Sequence, residues 1–313
     1  MNHKIAILSD IHGNTTALAG VLEDAKNLGA TEYWLLGDIF LPGPGANDLV
    51  ALLKDLPITA SVRGNWDDCV LEALDGQYGL EDPEEIQFLR MTQYLMERLN
   101  PEHIDWLRNL PMVAKKEVEG LRFSLSHNLP EKNYGGDLLV ENDTEKFDQL
   151  LDETTDVAVY GHVHKQLLRY GSQGQQIINP GSIGMPYFDW EGLKNHRAQY
   201  ALLEVENGEL KGYRVQGGKV SVGQKGMDTS KADYTDIIAD KAEIKGGVWG
   251  NKVKVTTGKN KVDRTNDSVV YVGDKNTNET DRTSESQNDQ AQAYSVDVGQ
   301  LGGMYAEKIH LVD

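Results

Sequence analysis

The sequence predicts an α/β fold whose strand ends meet at one crevice, followed by a β-rich or partly disordered tail. Three observations predict it. Short β-type runs alternate with helical periodicity over residues 1–216, five of the strand ends carry Asp, Asn or His, and near Gly217 the composition shifts to Gly, Lys, Asp, Asn, Thr and Ser. The expected domains are 1–216 and 217–313.

Lys4 to Ser9 reads as a strand, and Thr15 to Leu28 carries Ala17, Leu18, Val21, Leu22 and Ala25 at helical spacing. The pattern repeats with a strand from Glu32 to Leu36 and a helix from Asn47 to Leu56, then a strand from Ile58 to Val62. Such alternation implies βαβ units. From about Glu81 to Leu110, Phe88, Leu89, Met91, Leu95, Met96, Leu99, Ile104, Trp106 and Leu107 give helical apolar faces around Pro101, a helical insertion or cap. Strands follow at Leu121–Ser126, Val157–Tyr160, Gln176–Ile178 and Gln199–Val205, with one helix from Glu145 to Leu151. In the tail, Val248–Val255, Ser268–Val272 and Lys308–Val312 keep β character, while the polar run Arg282–Gln292 reads as disordered.

With 313 residues, 39% of them apolar, the chain can fill a core. The net charge of -18 excludes a surface that tracks nucleic-acid phosphates nonspecifically and disfavours anionic lipid. Since no run of about 18 apolar residues exists, no membrane span is expected. The N-terminal apolar run stops at Ser9-Asp10, too short for a signal peptide, and the single cysteine, Cys69, can close no intramolecular disulfide. The cytoplasm is the expected location.

The chemistry-bearing clusters are Asp10-Ile11-His12, Gly37-Asp38, Gly64-Asn65, Ser126-His127 and Gly161-His162-Val163-His164. Carboxyl ends of strands in an open α/β sheet converge, so these residues are expected to meet. Histidine with carboxylate suits Mn, Fe, Zn or Ni, and the lack of cysteine argues against a structural zinc site. Asp10 and His12, like His162 and His164, are one residue apart, which in an extended segment puts both side chains on one side. Asp38, alone at its strand end, is the natural bridge between two ions.

In this order the clusters resemble the calcineurin-like metallophosphoesterase family over residues 1–216. Ser9-Asp10-Ile11-His12-Gly13-Asn14, Leu36-Gly37-Asp38-Ile39 and Asn179-Pro180-Gly181-Ser182 look more narrowly like its small bacterial phosphoesterase or diadenosine-tetraphosphatase-like branch. The resemblance implies a four-layer β-sandwich flanked by helices. It also implies two divalent metal ions, manganese first, with iron, zinc, nickel or magnesium also compatible. One would be held by Asp10, His12, Asp38 and His164, the other by Asp38, Asn65, His127 and His162. The implied activity is hydrolysis of a phosphodiester, a phosphomonoester or a nucleotide through a metal-bridging hydroxide, with Asp38, Asn65 and Asp67 in the catalytic group. The implied partner is a small phosphorylated substrate.

One departure stands out. Where many members have a histidine after the Asn, this chain reads Gly64-Asn65-Trp66-Asp67-Asp68. An indole cannot protonate a leaving oxygen as that histidine does, so the proton comes from elsewhere or substrates have good leaving groups. Asn14 and Arg63 are the candidate substrate-binding residues; a helix cap and a salt bridge are their simpler roles. Gly181 and Ser182 are read as shaping a tight loop beside the site. Residues from about Asp228 onward, including Gly302-Gly303-Met304-Tyr305-Ala306, resemble filamentous-haemagglutinin-like adhesins. The alternative functions are a metal-binding scaffold with weak or no turnover and an adhesin fragment carrying a passenger domain.

Overall fold

A computed structural model describes residues 3–186, 189–190, 193–194, 197–222, 227–229, 234–244, 247–256, 260–263, 268–271, 296–298 and 303–312. The polar run Arg282–Gln292 lies outside the described residues. The first half is built from β1 (His3–Leu8), α1 (Thr15–Asn27), β2 (Glu32–Leu35), α2 (Asn47–Leu53), β3 (Ile58–Ser61), α3 (Asn65–Leu74), α4 (Pro83–Met96) and α5 (Pro101–Arg108). Next come β4 (Val113–Val118), β5 (Leu121–Ser126), α6 (Thr144–Phe147), β6 (Val157–Tyr160), β7 (Gln166–Tyr170) and β8 (Gln176–Pro180). A short hairpin, β9 (Asp189–Trp190) and β10 (Leu193–Lys194), precedes β11 (Tyr200–Glu206) and β12 (Glu209–Val222).

Two five-stranded mixed sheets result, ordered β3-β2-β1-β11-β12 and β7-β8-β6-β5-β4, with Val220–Val222 of β12 pairing Gln166–Leu168 of β7. Strand alternation sorts their side chains between two environments. Ile5, Ile7, Trp34, Leu36, Ala201, Leu203 and Val205 face Phe123, Leu125, Val157, Val159, Leu168 and Ile178 in one inter-sheet cluster. The alternate residues Ala6, Leu8, Tyr33, Leu35, Tyr200 and Leu202 instead pack with Leu18 and Val21 of α1, Leu49 and Leu53 of α2 and Val70 and Leu71 of α3. On the far side Ala158, Tyr160, Leu167 and Ile177 meet Leu138, Phe147 and Leu150. The order is helix, sheet, sheet, helix, as the four-layer expectation required.

Leu95 of α4 and Ile104 and Leu107 of α5 join the outer helical cluster, so the 81–110 segment packs beside α1–α3. Phe88 of α4 reaches Trp66 at a ring separation of 5.1 Å. The strand β12 runs unbroken through residues 216 and 217 and pairs in parallel with residues 234–244. Ile237, Val248, Val253 and Val255 are fully buried in the inter-sheet cluster.

Because β1, β2 and β3 run parallel, as do β5 and β6, their carboxyl ends open on the same side within each sheet. Asp10, Asp38, Asn65, His127 and His162 follow those five ends in turn, as the crevice rule requires.

Candidate metal centre

The ligand-bearing residues are not extended. Asp10 (φ 52°), His12 (φ 48°), Asp38 (φ 54°), His162 (φ 68°) and His164 (φ 54°) all adopt the left-handed conformation. This corrects the expectation that strand pleat aligns Asp10 with His12 and His162 with His164: each pair is brought together by two left-handed residues flanking one ordinary one. Such backbone costs roughly 1–2 kcal/mol per residue, and persists only where surrounding bonds over-determine it.

Those bonds are present. The amide N–H groups of Asp10 and His12 donate to Gly37 O (3.2 Å) and Asp38 O (2.9 Å), tying the first ligand loop to the second. Gly13 and Gly43 allow their turns to touch, since a Cβ on Gly43 would lie 2.0 Å from His12 O. Asp67 is buried, and its carboxylate accepts from the N–H groups of Asp38 (2.8 Å), Ile39 (3.0 Å) and Gly64 (2.9 Å). Its oxygens thus hold the turn that presents Asp38. Burial, then the charge of Asp38, pushes its carboxyl up to about 7.

Each histidine is oriented from behind by a main-chain carbonyl. His12 Nδ1 lies 2.5 Å from Leu41 O, His127 Nδ1 2.6 Å from Leu36 O and His162 Nε2 3.0 Å from Gly135 O; His164 is bonded to the main chain at Met185. A carbonyl only accepts, so the neutral imidazole carries its proton there and turns the other nitrogen's lone pair inward.

Inside, lone pairs face lone pairs. Asp10 Oδ1 is fully buried without a hydrogen bond, 3.1 Å from His164 Nε2 and 3.9 Å from both His12 Nε2 and His127 Nε2. His12 Nε2 and His164 Nε2 are 3.0 Å apart, and His12 Nε2 is 3.7 Å from Asp38 Oδ2. Ligand atoms of Asp10, His12, Asp38 and His164 all lie within 4.8 Å of one another, a donor set that fits a divalent cation. On the other side of Asp38, Oδ2 is 3.3 Å from His127 Nε2, while Asn65 Oδ1 is 3.0 Å from His127 Nε2 and 2.8 Å from His162 Nδ1. Burial disfavours a charge on His127, yet the attraction of Asp38 outweighs it and raises the imidazole to about 10. The carboxylates of Asp10 and Asp38 favour positive charge on the groups beside them, which a bound cation would supply in place of protons.

Asp38 Oδ1 accepts from the Trp66 N–H at 2.8 Å, leaving Oδ2 to face both groups. The Trp66 ring stands edge-on to His12 at 5.8 Å and 84°. Asn14 caps α1, accepting from Ala17 N–H at 3.0 Å, and lines with His12, Gly13, Gly43, Pro44 and Met185 a cleft of about 470 Å³. Arg63 pairs with Asp68 at 2.5 Å and donates to Arg108 O at 3.2 Å. Both residues thus make the cap and the salt bridge that were their simpler readings. The orienting carbonyls of Leu36, Leu41 and Gly135 have no sequence signature, because any residue supplies one.

A family model described as the calcineurin-like phosphoesterase superfamily domain matches residues 3–208, and one for the TPS secretion domain matches residues 201–313. An uncharacterized protein of Methanocaldococcus jannaschii is 30% identical over 233 residues, covering 68% of this chain and 87% of that protein. Toxin CdiA of Yersinia pestis is 38% identical over 143 residues, 45% of this chain, and the matched stretch spans only 4% of that toxin's length. The crystal structure of a metallophosphoesterase from Sphaerobacter thermophilus matches with a TM-score of 0.51 and 27% identity, covering 65% of this chain and 84% of that one. The secretion-domain and toxin matches fit the adhesin-like reading of the tail.

Proposed function

The chain belongs to the calcineurin-like phosphoesterase superfamily, and on that premise we propose that it hydrolyses a small phosphate ester with two divalent ions, manganese first among them. The observation that carries this reading is the shared Asp38 Oδ2, which faces His12 Nε2 at 3.7 Å on one side and His127 Nε2 at 3.3 Å on the other. One ion would be held by Asp10, His12, Asp38 and His164, the other by Asp38, Asn65, His127 and His162. Divalent ions held by these residues would supply a lowered pKa for a bound water and neutralise charge on the phosphoryl oxygens.

The chain's own residues do the rest. The carbonyls of Leu41, Leu36 and Gly135 fix which imidazole nitrogen is offered, and Asp67 holds the turn that aims Asp38. Asp67 is therefore assigned a positioning role. Trp66 donates its main-chain N–H to Asp38, and its indole supplies no proton at neutral pH. Esters with good leaving groups are accordingly the preferred substrates, and the substrate enters past the cleft that Asn14 and Met185 line.

The test is to strip the chain, reload it with manganese, and assay bis-p-nitrophenyl phosphate and p-nitrophenyl phosphate beside Asp38→Asn. Metal-dependent turnover lost in the variant supports the proposal, and the diester-to-monoester ratio begins to define the substrate. Two bound ions without turnover of either ester would favour the scaffold alternative, for which Trp66 and the adhesin-like tail are the motivation.

A further inference from the structure

The segment Asn179-Pro180-Gly181-Ser182-Ile183-Gly184 lies behind the metal centre and supplies none of its ligands. Asn179 and Ser182 are nevertheless completely buried polar residues. Asn179 Nδ2 donates to Gly161 O at 2.6 Å, and its Oδ1 accepts from Gly181 N–H at 2.8 Å. The Ser182 hydroxyl donates to Asp10 O at 2.8 Å and accepts from Met185 N–H at 2.8 Å. The adjoining N–H groups of Ile183 and Gly184 donate to Ser9 O (3.1 Å) and Asp10 O (2.9 Å). One side chain thus grips the loop carrying Asp10 and His12, and the other grips the loop carrying His162 and His164.

We infer that Asn179 and Ser182 are positioning residues that lock these two ligand loops in register before metal enters. Asp10 shows why such a lock matters. Its N–H is bonded to Gly37 O, its carbonyl accepts from Ser182 and Gly184, and its Oδ2 accepts from Ser9 Oγ (2.5 Å) and His162 N–H (3.1 Å). Every polar atom but Oδ1 is spoken for, and Oδ1 is the atom turned toward the imidazoles. Close packing completes the lock: a Cβ on Gly184 would lie 2.0 Å from Ile11 O, so the segment rests directly on the first ligand loop. Gly161, gripped by Asn179, also donates its N–H to His127 O at 2.9 Å, so that grip extends to the ligands Asn65 accompanies.

The inference rests on the proposed two-ion centre and predicts an asymmetry that a general packing role does not. Ser182→Ala removes one of the two donors to the Asp10 carbonyl and weakens the ion held by Asp10, His12 and His164, whereas Asn179→Asp keeps the acceptor for Gly181 N–H, loses the donor to Gly161 O and weakens chiefly the ion held by His127 and His162, the ligands nearest Gly161. Loss of partners behind metal ligands costs about 10- to 100-fold in affinity.

The experiment is manganese titration of the full-length ion-free chain, following free ion by electron paramagnetic resonance, with thermal unfolding of each protein recorded alongside. The expected result is two binding steps in the parent and selective weakening by about 10- to 100-fold of a different step in each variant. Unchanged affinities, or equal loss of both steps in proportion to a lowered melting temperature, overturn the positioning role. Should Ser182→Ala not fold, Ser182→Cys keeps the shape with a weaker donor, and a parent-like titration for it counts against the inference. A parent that binds no manganese overturns the centre itself and the inference with it.

Discussion

Gly161→Ala is a perturbation whose size can be worked from the structure. A Cβ there would lie 2.1 Å from Ser9 Oγ and 2.9 Å from Asp10 Oδ2, two atoms that are themselves hydrogen-bonded at 2.5 Å. Ordinary contact lies beyond about 3.4 Å, so Ser9 Oγ must retreat by about 1 Å, and its bond to the carboxylate breaks. Overpacking costs about 1–3 kcal/mol and loss of a bond to a charged group about 1.5–3 kcal/mol, so a destabilisation of about 2.5–6 kcal/mol is expected. Asp10 is displaced with the hydroxyl, which lowers metal affinity by about 10- to 100-fold. Urea unfolding of the ion-free chain, followed by tryptophan fluorescence, to which the fully buried Trp34 contributes, measures the first effect, and manganese titration the second. Gly76→Ala is the control: Gly76 has φ +73° but nothing within 4 Å of the added carbon, so it should cost about 1 kcal/mol and leave metal binding unchanged. If Gly161→Ala matched that control in both measurements, the close packing of the two ligand loops would be refuted.

Three further outcomes are expected. Trp34→Ala empties the inter-sheet cluster, where the indole packs edge-on against Phe123 at 4.9 Å and donates to Thr59 Oγ1, and should cost about 3–5 kcal/mol in urea unfolding. Trp66→His places an imidazole beside His12 and should raise turnover of esters with poor leaving groups by on the order of 10²-fold relative to nitrophenyl esters; an equal change for both classes would contradict the leaving-group reading. Asp152 is held well below the usual carboxylate range by hydrogen bonds from Lys115, then Thr154 and Thr155. Its contribution is therefore present above its ordinary pKa and lost as pH falls. Because the pair is exposed, Asp152→Asn should cost only about 0.2–1 kcal/mol at pH 7, with the difference shrinking below about pH 4.

Much of this architecture is legible in the sequence because strand alternation and helical spacing are written in apolar residues. Ile5 and Ile7 against Ala6 and Leu8 already divide β1 between two cores, and Leu121–Ser126 and Val157–Tyr160 fall where read. Elements rich in polar residues are harder. The helix α3 goes unread because its first residue is Asn65 and only Val70 and Leu71 mark its buried apolar face, while β4 carries Lys115-Lys116-Glu117 in its middle. The strand β7 is hidden directly behind His164 and Lys165.

At the site, residue types and order identify the cluster, but its geometry depends on tertiary bonds. Left-handed Asp and His are locally unfavourable, and tertiary contacts such as those of Gly37, Gly43, Asp67 and the 179–184 segment hold them in place. No local pattern announces that cooperation. Asn14 and Arg63 illustrate the converse, since their polar groups meet a helix end and an aspartate in the same region of chain.

The most direct test of the two-ion centre is anomalous diffraction from manganese-loaded crystals. The account predicts two peaks sharing Asp38, one also within ligand distance of Asp10, His12 and His164, the other of Asn65, His127 and His162. A single peak, or a second peak without Asn65 and His127 around it, would contradict it.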